Sequence, residues 1–296
     1  MMFYGCPIVS PSAEGAFCYS VLKNGFDRRM AVPTFDHLSY MAGAPQPRTI
    51  ALDLSDRIQG LIGRSDRYLG RDNFEARQLL RDCDRLQQAS AFDGAICRMY
   101  LAEAYGDADE VRQLARQARA VLPEHASEAD FQLAQVLVSL GYFSEAQAIY
   151  AQVGSPERGH MSNRFDLGMV CGSIEKLHEF VNQAKAMSIA LHDGAVSAAL
   201  GAYAVYQKTS TTDRQAGELL DLAGEVLRAH KLLSPPSSPT VSAIDHSELK
   251  TMLVQFVVRA PVEEIGAMNF ELAELVARRL DVVPAGVAVV FVGVAS

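Results

Sequence analysis

Long apolar runs are missing from this chain of 296 residues, which also lacks tryptophan and has no excess of basic side chains. The longest apolar run, at 287–295, is about half as long as a membrane-spanning helix requires, so we expect no membrane span. The formal net charge of −8 disfavours nonspecific binding to nucleic acid, which needs a surface rich in lysine and arginine. Neither a membrane nor a nucleic acid is therefore an expected partner.

Cysteine is scarce, and its five copies are scattered along the chain. They form no CxxC pair and no cluster with histidine at zinc spacing, so the sequence predicts no metal site. Cys83, Cys97 and Cys171 fall inside helical patterns, where a reduced thiol behaves as a small apolar group. The start of the sequence lacks the basic and apolar regions of a signal peptide. Together these features predict a cytoplasmic protein with buried free thiols.

Catalytic signatures are also missing. The sequence contains no G-x-S-x-G elbow, Walker loop, HExxH pair or dinucleotide-binding glycine pattern. Paired acids such as Glu263 and Glu264 stand at a predicted helix start, where the helix dipole accounts for them. We therefore expect no catalytic residues, no cofactor and no enzyme activity.

The chain does contain a turn signature that recurs along its first half. Gly70, Gly106 and Gly141 each precede an acidic helix start, and Ala76, Val111 and Ala146 follow them at intervals of 35 residues. A fixed period of this length is typical of solenoids, in which helix pairs bury their apolar faces against their neighbours. Apolar residues keep a helical spacing throughout, which predicts a helical repeat domain at 51–233.

Composition changes on either side of the predicted repeat domain. Residues 1–50 carry five prolines and no sustained period, so we expect an irregular N-terminal arm there. Residues 234–244 begin with a run of prolines and serines, which predicts a linker.

The C-terminal part differs in kind from the helices before it. Apolar and β-branched runs at 253–258 and 287–294 flank a helix that begins at Pro261, which predicts a small βαβ module at 245–296. A module of this size exposes its sheet edges. We therefore expect it either to pack on the helices or to form a homodimer by pairing with a second copy, and we favour pairing.

The repeats resemble the tetratricopeptide repeat family. The best copy, at 128–156, has residues of the family's types at its helix-packing positions, namely Leu133, Ala134, Leu137, Gly141, Phe143, Ala146 and Tyr150. The resemblance covers 55–156, weakens as far as 233 and is absent elsewhere. It implies a mostly α fold, a solenoid of antiparallel helix pairs, here followed by the small C-terminal α/β module. It also implies a concave groove lined by the first helix of each repeat.

Mapping that groove onto the chain implies a partner-binding site of nine residues. They are Arg57, Arg64, Arg67, Asp93, Tyr100, Glu103, Phe131, Gln132 and Gln135. Aromatic side chains dominate interface energetics, so Tyr100 and Phe131 are the expected anchors, although Phe131 could equally belong to the core. The family's Lys/Asn clamp for a C-terminal carboxylate does not occur at these positions.

The three arginines of this set recur at helical spacing and have two interpretations. They could form an anion-binding entrance for an acidic peptide, because guanidinium binds carboxylates through two parallel hydrogen bonds. They could instead belong to a solvated face with salt bridges to Asp53, Asp56 and Asp66.

We therefore expect a non-enzymatic scaffold or adaptor that binds a peptide or protein segment in its groove. The C-terminal module would self-associate or bind a second partner. Two alternatives stay open. One is a regulated enzyme or ligand sensor that acts through the module, and the other is an inhibitory or immunity protein that binds one basic partner.

Overall fold

A computed structural model describes residues 47–152, 161–189, 191–233, 238–246 and 249–294. The predicted N-terminal arm at 1–50 lies outside the described residues, except that Pro47 and the three residues after it begin the first helix. Proline suits this position because its fixed φ is helical and its missing N–H would have no partner there.

Ten α-helices make up the described part of the chain before the C-terminal module. They are α1 (Pro47–Arg64), α2 (Phe74–Ala89), α3 (Ala91–Ala104), α4 (Ala108–Val121), α5 (Ala126–Ser139), α6 (Phe143–Gln152), α7 (Met161–Val170), α8 (Ile174–Ala186), α9 (Asp193–Thr209) and α10 (Asp213–Ala229). A 3-10 helix, Pro123–His125, leads into α5. Within the described ranges, no helix is both long enough and apolar enough to cross a membrane.

Polar caps and glycine turns set the ends of several helices. Asn73 and Asp107 accept hydrogen bonds from backbone N–H groups in the first turns of α2 and α4. Gly106, Gly141 and Gly172 follow α3, α5 and α7 with φ values of 70°, 76° and 73°. Glycine enters this left-handed region without steric cost, so it can end a helix and reverse the chain.

Helices α1 to α8 form four pairs that stack side by side. The first helices of the pairs, α1, α3, α5 and α7, contact one another in succession, and we call them the inner row. The second helices α2, α4 and α6 each pack between two helices of the inner row. Ala76, Val111 and Ala146, which define the 35-residue period, are fully buried in those second helices. The period therefore records a packing position.

Helix α10 departs from this arrangement and lies across the turns that join the two helices within the last two pairs. The carboxylate of Asp213 accepts from two N–H groups in the first turn of α8, at 2.9 and 3.2 Å. About two helical turns further along α10, Asp221 accepts from the first two N–H groups of α6, at 2.6 and 3.1 Å. Carboxylates are favoured at helix N-termini because they satisfy free N–H groups and complement the dipole. The substantial contacts of α10 among the described elements are with α6, α8 and the C-terminal module rather than with α9.

The C-terminal module consists of β1 (Thr240–His246), β2 (Leu249–Val258), α11 (Val262–Arg279) and β3 (Val287–Gly293). Strand β2 is central, antiparallel to β1 and parallel to β3, with α11 as the crossover. The predicted strand–helix–strand order is therefore confirmed, and the fold is mostly α with a small α/β module, as expected.

Strand β1 corrects the linker prediction at 234–244. Residues 234–237 lie outside the described residues, but β1 begins at Thr240 and pairs with β2 along its length. Val241 stands opposite Val254, and both are buried. The sequence of β1 is short, alternates apolar and polar residues, and follows a proline-rich stretch, so by itself it resembles a linker. It forms a strand because β2 provides partners for its backbone hydrogen bonds.

The module packs on the helices, which was one of the two expected arrangements. Phe256 of β2 contacts Phe143 of α6 with ring centroids 5.6 Å apart, and the two belong to one continuous hydrophobic core. The free edge of β3 faces α11, where Asn269 donates to the carbonyl of Phe291 and accepts from its N–H, both at 2.9 Å. These are the backbone groups that a further strand would need, so α11 protects this edge at Phe291.

Cys83, Cys97 and Cys171 are buried and free, as predicted. Burial raises the pKa of Cys97 to about 11 and that of Cys171 to about 12. The pKa of Cys83 is raised further by the same cause. All three are therefore protonated and weakly reactive at neutral pH.

Candidate partner-binding face

The three predicted arginines each have a carboxylate partner within the chain, at 2.8–3.1 Å. The pairs are Arg57 with Asp82, Arg64 with Glu75, and Arg67 with Glu264. Arg67 also lies three residues beyond the end of α1, so it does not share a helix face with the other two. This arrangement favours salt bridges over a free anion entrance, but of the three acids predicted as partners Asp53 lies 3.8 Å from Arg57 and Asp66 pairs with Arg259 instead. The pairs are exposed, and each contributes at most about 1 kcal/mol.

Five other predicted groove residues are buried, which corrects the expectation that they line an open groove. Their exposed fractions are 7% for Tyr100, 1% for Glu103, 6% for Phe131, 4% for Gln132 and 2% for Gln135. The Tyr100 hydroxyl donates to Gln132 Oε1 at 2.5 Å and so joins α3 to α5. Phe131 belongs to the hydrophobic core, the alternative considered for it. The ninth residue, Asp93, accepts from the Ser90 hydroxyl at 2.8 Å at the start of α3.

Helix α5 is buried around its full circumference. Residues 131–138 are all buried, and eight consecutive residues cover more than two helical turns. Among the described elements, the substantial contacts of α5 are with its row neighbours α3 and α7, with α4 and α6, and with the 3-10 helix. The second helices α4 and α6 cover one side of the row. None of these substantial contacts is with a described element on the opposite side of α5.

Helix α3 repeats this pattern. Residues 99–104 are all buried, yet its substantial contacts with described elements are only with α1, α2, α4 and α5. We call the side of the inner row that is turned away from the second helices the inner face. It is the side that the tetratricopeptide resemblance predicts as the groove.

A row of polar side chains marks the inner face. Tyr100, Gln135 and Asp166 each lie six residues before the turn glycine that follows their helix, so they occupy equivalent positions on α3, α5 and α7. Sequence reasoning identified the first two and missed Asp166. The same offset from Gly172 would have identified it.

Gln135 stands out in this row because its side-chain amide is unsatisfied. Both the Nε2 and the Oε1 atoms are buried, and neither has a hydrogen-bond partner among the described residues. A buried polar group left without a partner costs about 1–3 kcal/mol. The amide is therefore a position where a bound group would contribute stability.

Asp166 is half-buried and has no ion-pair partner in the part of the chain that the structure describes. Burial raises the pKa of its carboxyl to about 6. The side chain can therefore accept hydrogen bonds near neutral pH and donate one below about pH 6. Hydroxyl, amide and carboxyl groups in a row can form hydrogen bonds with peptide groups.

No protein-family model matches the chain, and no curated protein or solved structure is significantly similar to it. Function must therefore be inferred from the site itself.

Proposed function

We propose that this chain is a non-enzymatic interaction protein of the tetratricopeptide-like type, and that its inner face holds an extended peptide segment. The observation that carries this proposal is the Gln135 amide, which is buried without a hydrogen-bond partner among the described residues, at the position of α5 equivalent to Tyr100 of α3. A peptide bound there would remove the cost of the unsatisfied amide.

An extended peptide offers the backbone N–H and carbonyl groups that could serve as hydrogen-bond partners for the Gln135 amide. A glutamine side chain presents a carbonyl and an NH₂ side by side, so it can form two parallel hydrogen bonds with a backbone peptide group. Tyr100 and Asp166 flank it on the neighbouring helices of the row. Packed helices lie about 8–10 Å apart, which is about the length of three extended residues. A peptide that crosses the row would thus meet one polar side chain at every third residue.

Capture of a partner by the full-length chain tests the proposal. Wild-type bait is compared with Gln135→Ala and with the control Gln117→Ala, which removes an exposed amide from α4. We expect Gln135→Ala to weaken the partner's affinity by about tenfold, the equivalent of about 1.4 kcal/mol, and Gln117→Ala to leave it unchanged. Circular dichroism checks that each variant is folded. A partner retained equally by both variants would refute a role for the inner face.

The module offers a second surface, for self-association or for a second partner. Val262 and Phe270 of α11 are 74% and 68% exposed, and large exposed apolar side chains mark interaction sites. If the chain dimerises through this surface, Phe270→Glu will convert the dimer to a monomer in light scattering. A wild-type chain that is monomeric at all concentrations would rule out self-association. We place the protein in the cytoplasm, because buried free thiols suit a reducing compartment.

A further inference from the structure

We propose that the exposed side of α11 binds a second copy of this chain, with the two α11 helices packed antiparallel about a two-fold axis at Phe270. The proposal rests on the proposed function in one respect, since it uses the self-association surface of the module. It goes further by naming the occupant, its orientation and the contacts. The contact is made by helices and not by sheet edges, because α11 protects the edge of β3 at Phe291.

Helix α11 carries apolar residues on two opposite sides. Met268, Leu272 and Leu275 are buried against the rest of the protein. The other side is an uncharged, exposed stripe, which we call the α11 stripe, and it consists of Val262, Gly266, Phe270, Ala273 and Ala277. At 3.6 residues per turn, these five positions lie within about 80° of one another. A surface helix normally has polar residues on the side away from the core, so a continuous apolar stripe there indicates an interaction surface.

The α11 stripe is symmetric about Phe270, as a two-fold interface requires. Gly266 and Ala273 lie four residues before and three after Phe270, and Val262 and Ala277 lie eight before and seven after it. In an antiparallel pair, Gly266 of one copy therefore faces Ala273 of the other, and Val262 faces Ala277. A methyl group at Gly266 would meet no atom within 4 Å, so the space above it is open in the single chain. The small residues beside Phe270 thus leave room for the Phe270 ring of the second copy.

The charges beside the α11 stripe favour a second copy over a different partner. Glu263 and Arg278 flank the stripe on the same side, in the first and last turns of α11. Among the described residues, Glu263 has no ion-pair partner and the Arg278 side chain contacts only Glu274 of its own helix. An antiparallel copy places Glu263 opposite Arg278 at both ends of the contact. A parallel copy would instead place two acidic first turns side by side and align the two helix dipoles.

The size of this contact sets the expected affinity. Helix α11 has 18 residues and is therefore about 27 Å long. A single pair of helices of this length buries less than the roughly 1,200 Å² at which standard interfaces begin. We therefore expect a weak dimer with a dissociation constant of about 1–100 µM, which sedimentation equilibrium at about 1–200 µM can measure.

Charge-reversed variants of the full-length chain test the orientation. Glu263→Arg places two cations opposite each other in the dimer, and Arg278→Glu places two anions there. Each variant alone should dimerise about tenfold more weakly than the wild type, since two attractive pairs are replaced by two repulsive ones. An equimolar mixture of the two variants restores both opposite-charge pairs and should recover the association of the wild type.

Glu124→Arg is the matched control for these variants. It makes the same change in net charge as Glu263→Arg, at an exposed position of the 3-10 helix, which makes no substantial contact with α11. This control should leave dimerisation unchanged. Circular dichroism checks that every variant is folded.

Three results would overturn the proposal. The first is a wild-type chain that stays monomeric at about 200 µM; if Phe270→Glu then releases a captured protein, the α11 stripe binds a different partner. The second is a dimer that neither charge reversal weakens. The third is a pair of weakened variants that mixing does not restore, because only the antiparallel arrangement brings Glu263 and Arg278 of different copies together.

The proposed function can fail separately from this proposal. An antiparallel dimer without any partner that depends on Gln135 would refute peptide binding at the inner face and leave the α11 contact in place. A partner that depends on Gln135, bound by a monomeric chain, would do the reverse. A dimer that Phe270→Glu disrupts and the charge reversals do not would keep self-association through the module and refute the antiparallel arrangement.

Discussion

Replacing Gly224 with alanine should destabilise the protein, although alanine normally stabilises a helix interior. A methyl group at this position of α10 would overlap the carbonyl oxygen and the Cα of Gly141. Gly141 has little freedom to move away, because its φ of 76° belongs to the tight turn between α5 and α6. The guanidinium of Arg228, one turn along α10, also donates to the Gly141 carbonyl. The two helices would therefore have to separate.

The expected magnitude follows from three contributions. Alanine gains about 1 kcal/mol over glycine in a helix interior. Overpacking at a rigid contact costs about 1–3 kcal/mol, and lifting α10 weakens the cap that Asp221 provides to α6, at a cost of about 1 kcal/mol. The net loss should be about 1–3 kcal/mol, which lowers the melting temperature by about 2–4 °C for each kcal/mol in a chain of this size.

Urea unfolding followed by circular dichroism measures this loss as a lower midpoint at an unchanged slope. Gly201→Ala in α9 is the matched control, because a methyl group there meets no atom within 4 Å. The control should be more stable than the wild type by about 0.5–1 kcal/mol. If Gly224→Ala is stabilised in the same way, the close approach of α10 to the α5–α6 turn is not present in solution.

Two further predictions concern the contacts of α11. The two ring nitrogens of His230 lie 3.0 Å from Glu264 and 3.1 Å from Glu271. Burial lowers the pKa of His230, but the two carboxylates outweigh burial and raise this pKa overall. The contribution of protonated His230 to stability is therefore complete below about pH 6.5 and is lost as the pH rises through the raised pKa. His230→Gln should lower the urea midpoint more at about pH 5.5 than at about pH 8.5. Equal losses at the two pH values would contradict a charged imidazole. Asn269→Leu removes the amide that hydrogen-bonds to the backbone N–H and carbonyl of Phe291 at the edge of β3, so light scattering should show faster aggregation on heating. Unchanged scattering would mean that α11 protects this edge without the amide.

Local signals in the sequence predicted most of the secondary structure correctly. The apolar period and the turn glycines identified the helix pairs, because each of these patterns depends only on residues of one helix or of one short turn. Gly141 and Gly172 have the positive φ that such turns require. The strand–helix–strand order of the module followed from β-branched runs around Pro261, which stands at the N-cap of α11.

The candidate site was only partly predictable. The repeat resemblance placed Tyr100 and Gln135 on one face, because positions counted back from equivalent turns share a face. It could not show that Tyr100 bonds to Gln132 of the next helix, nor that the Gln135 amide is buried without a partner. The three arginines looked like one basic stripe, but their ion pairs reach 25, 11 and 197 residues along the chain.

By itself, then, the sequence determined which segments are helices and strands, where they turn and which of their faces are apolar, because those properties depend on residues within one or two turns of each other. Only the tertiary structure decided that α10 crosses the turns instead of extending the stack, since its cap on α6 joins residues 78 positions apart. The same holds for β1, which needs β2 as a partner, and for the burial of the inner face. Contacts of this range depend on the shape that the whole chain adopts, and no local period records them.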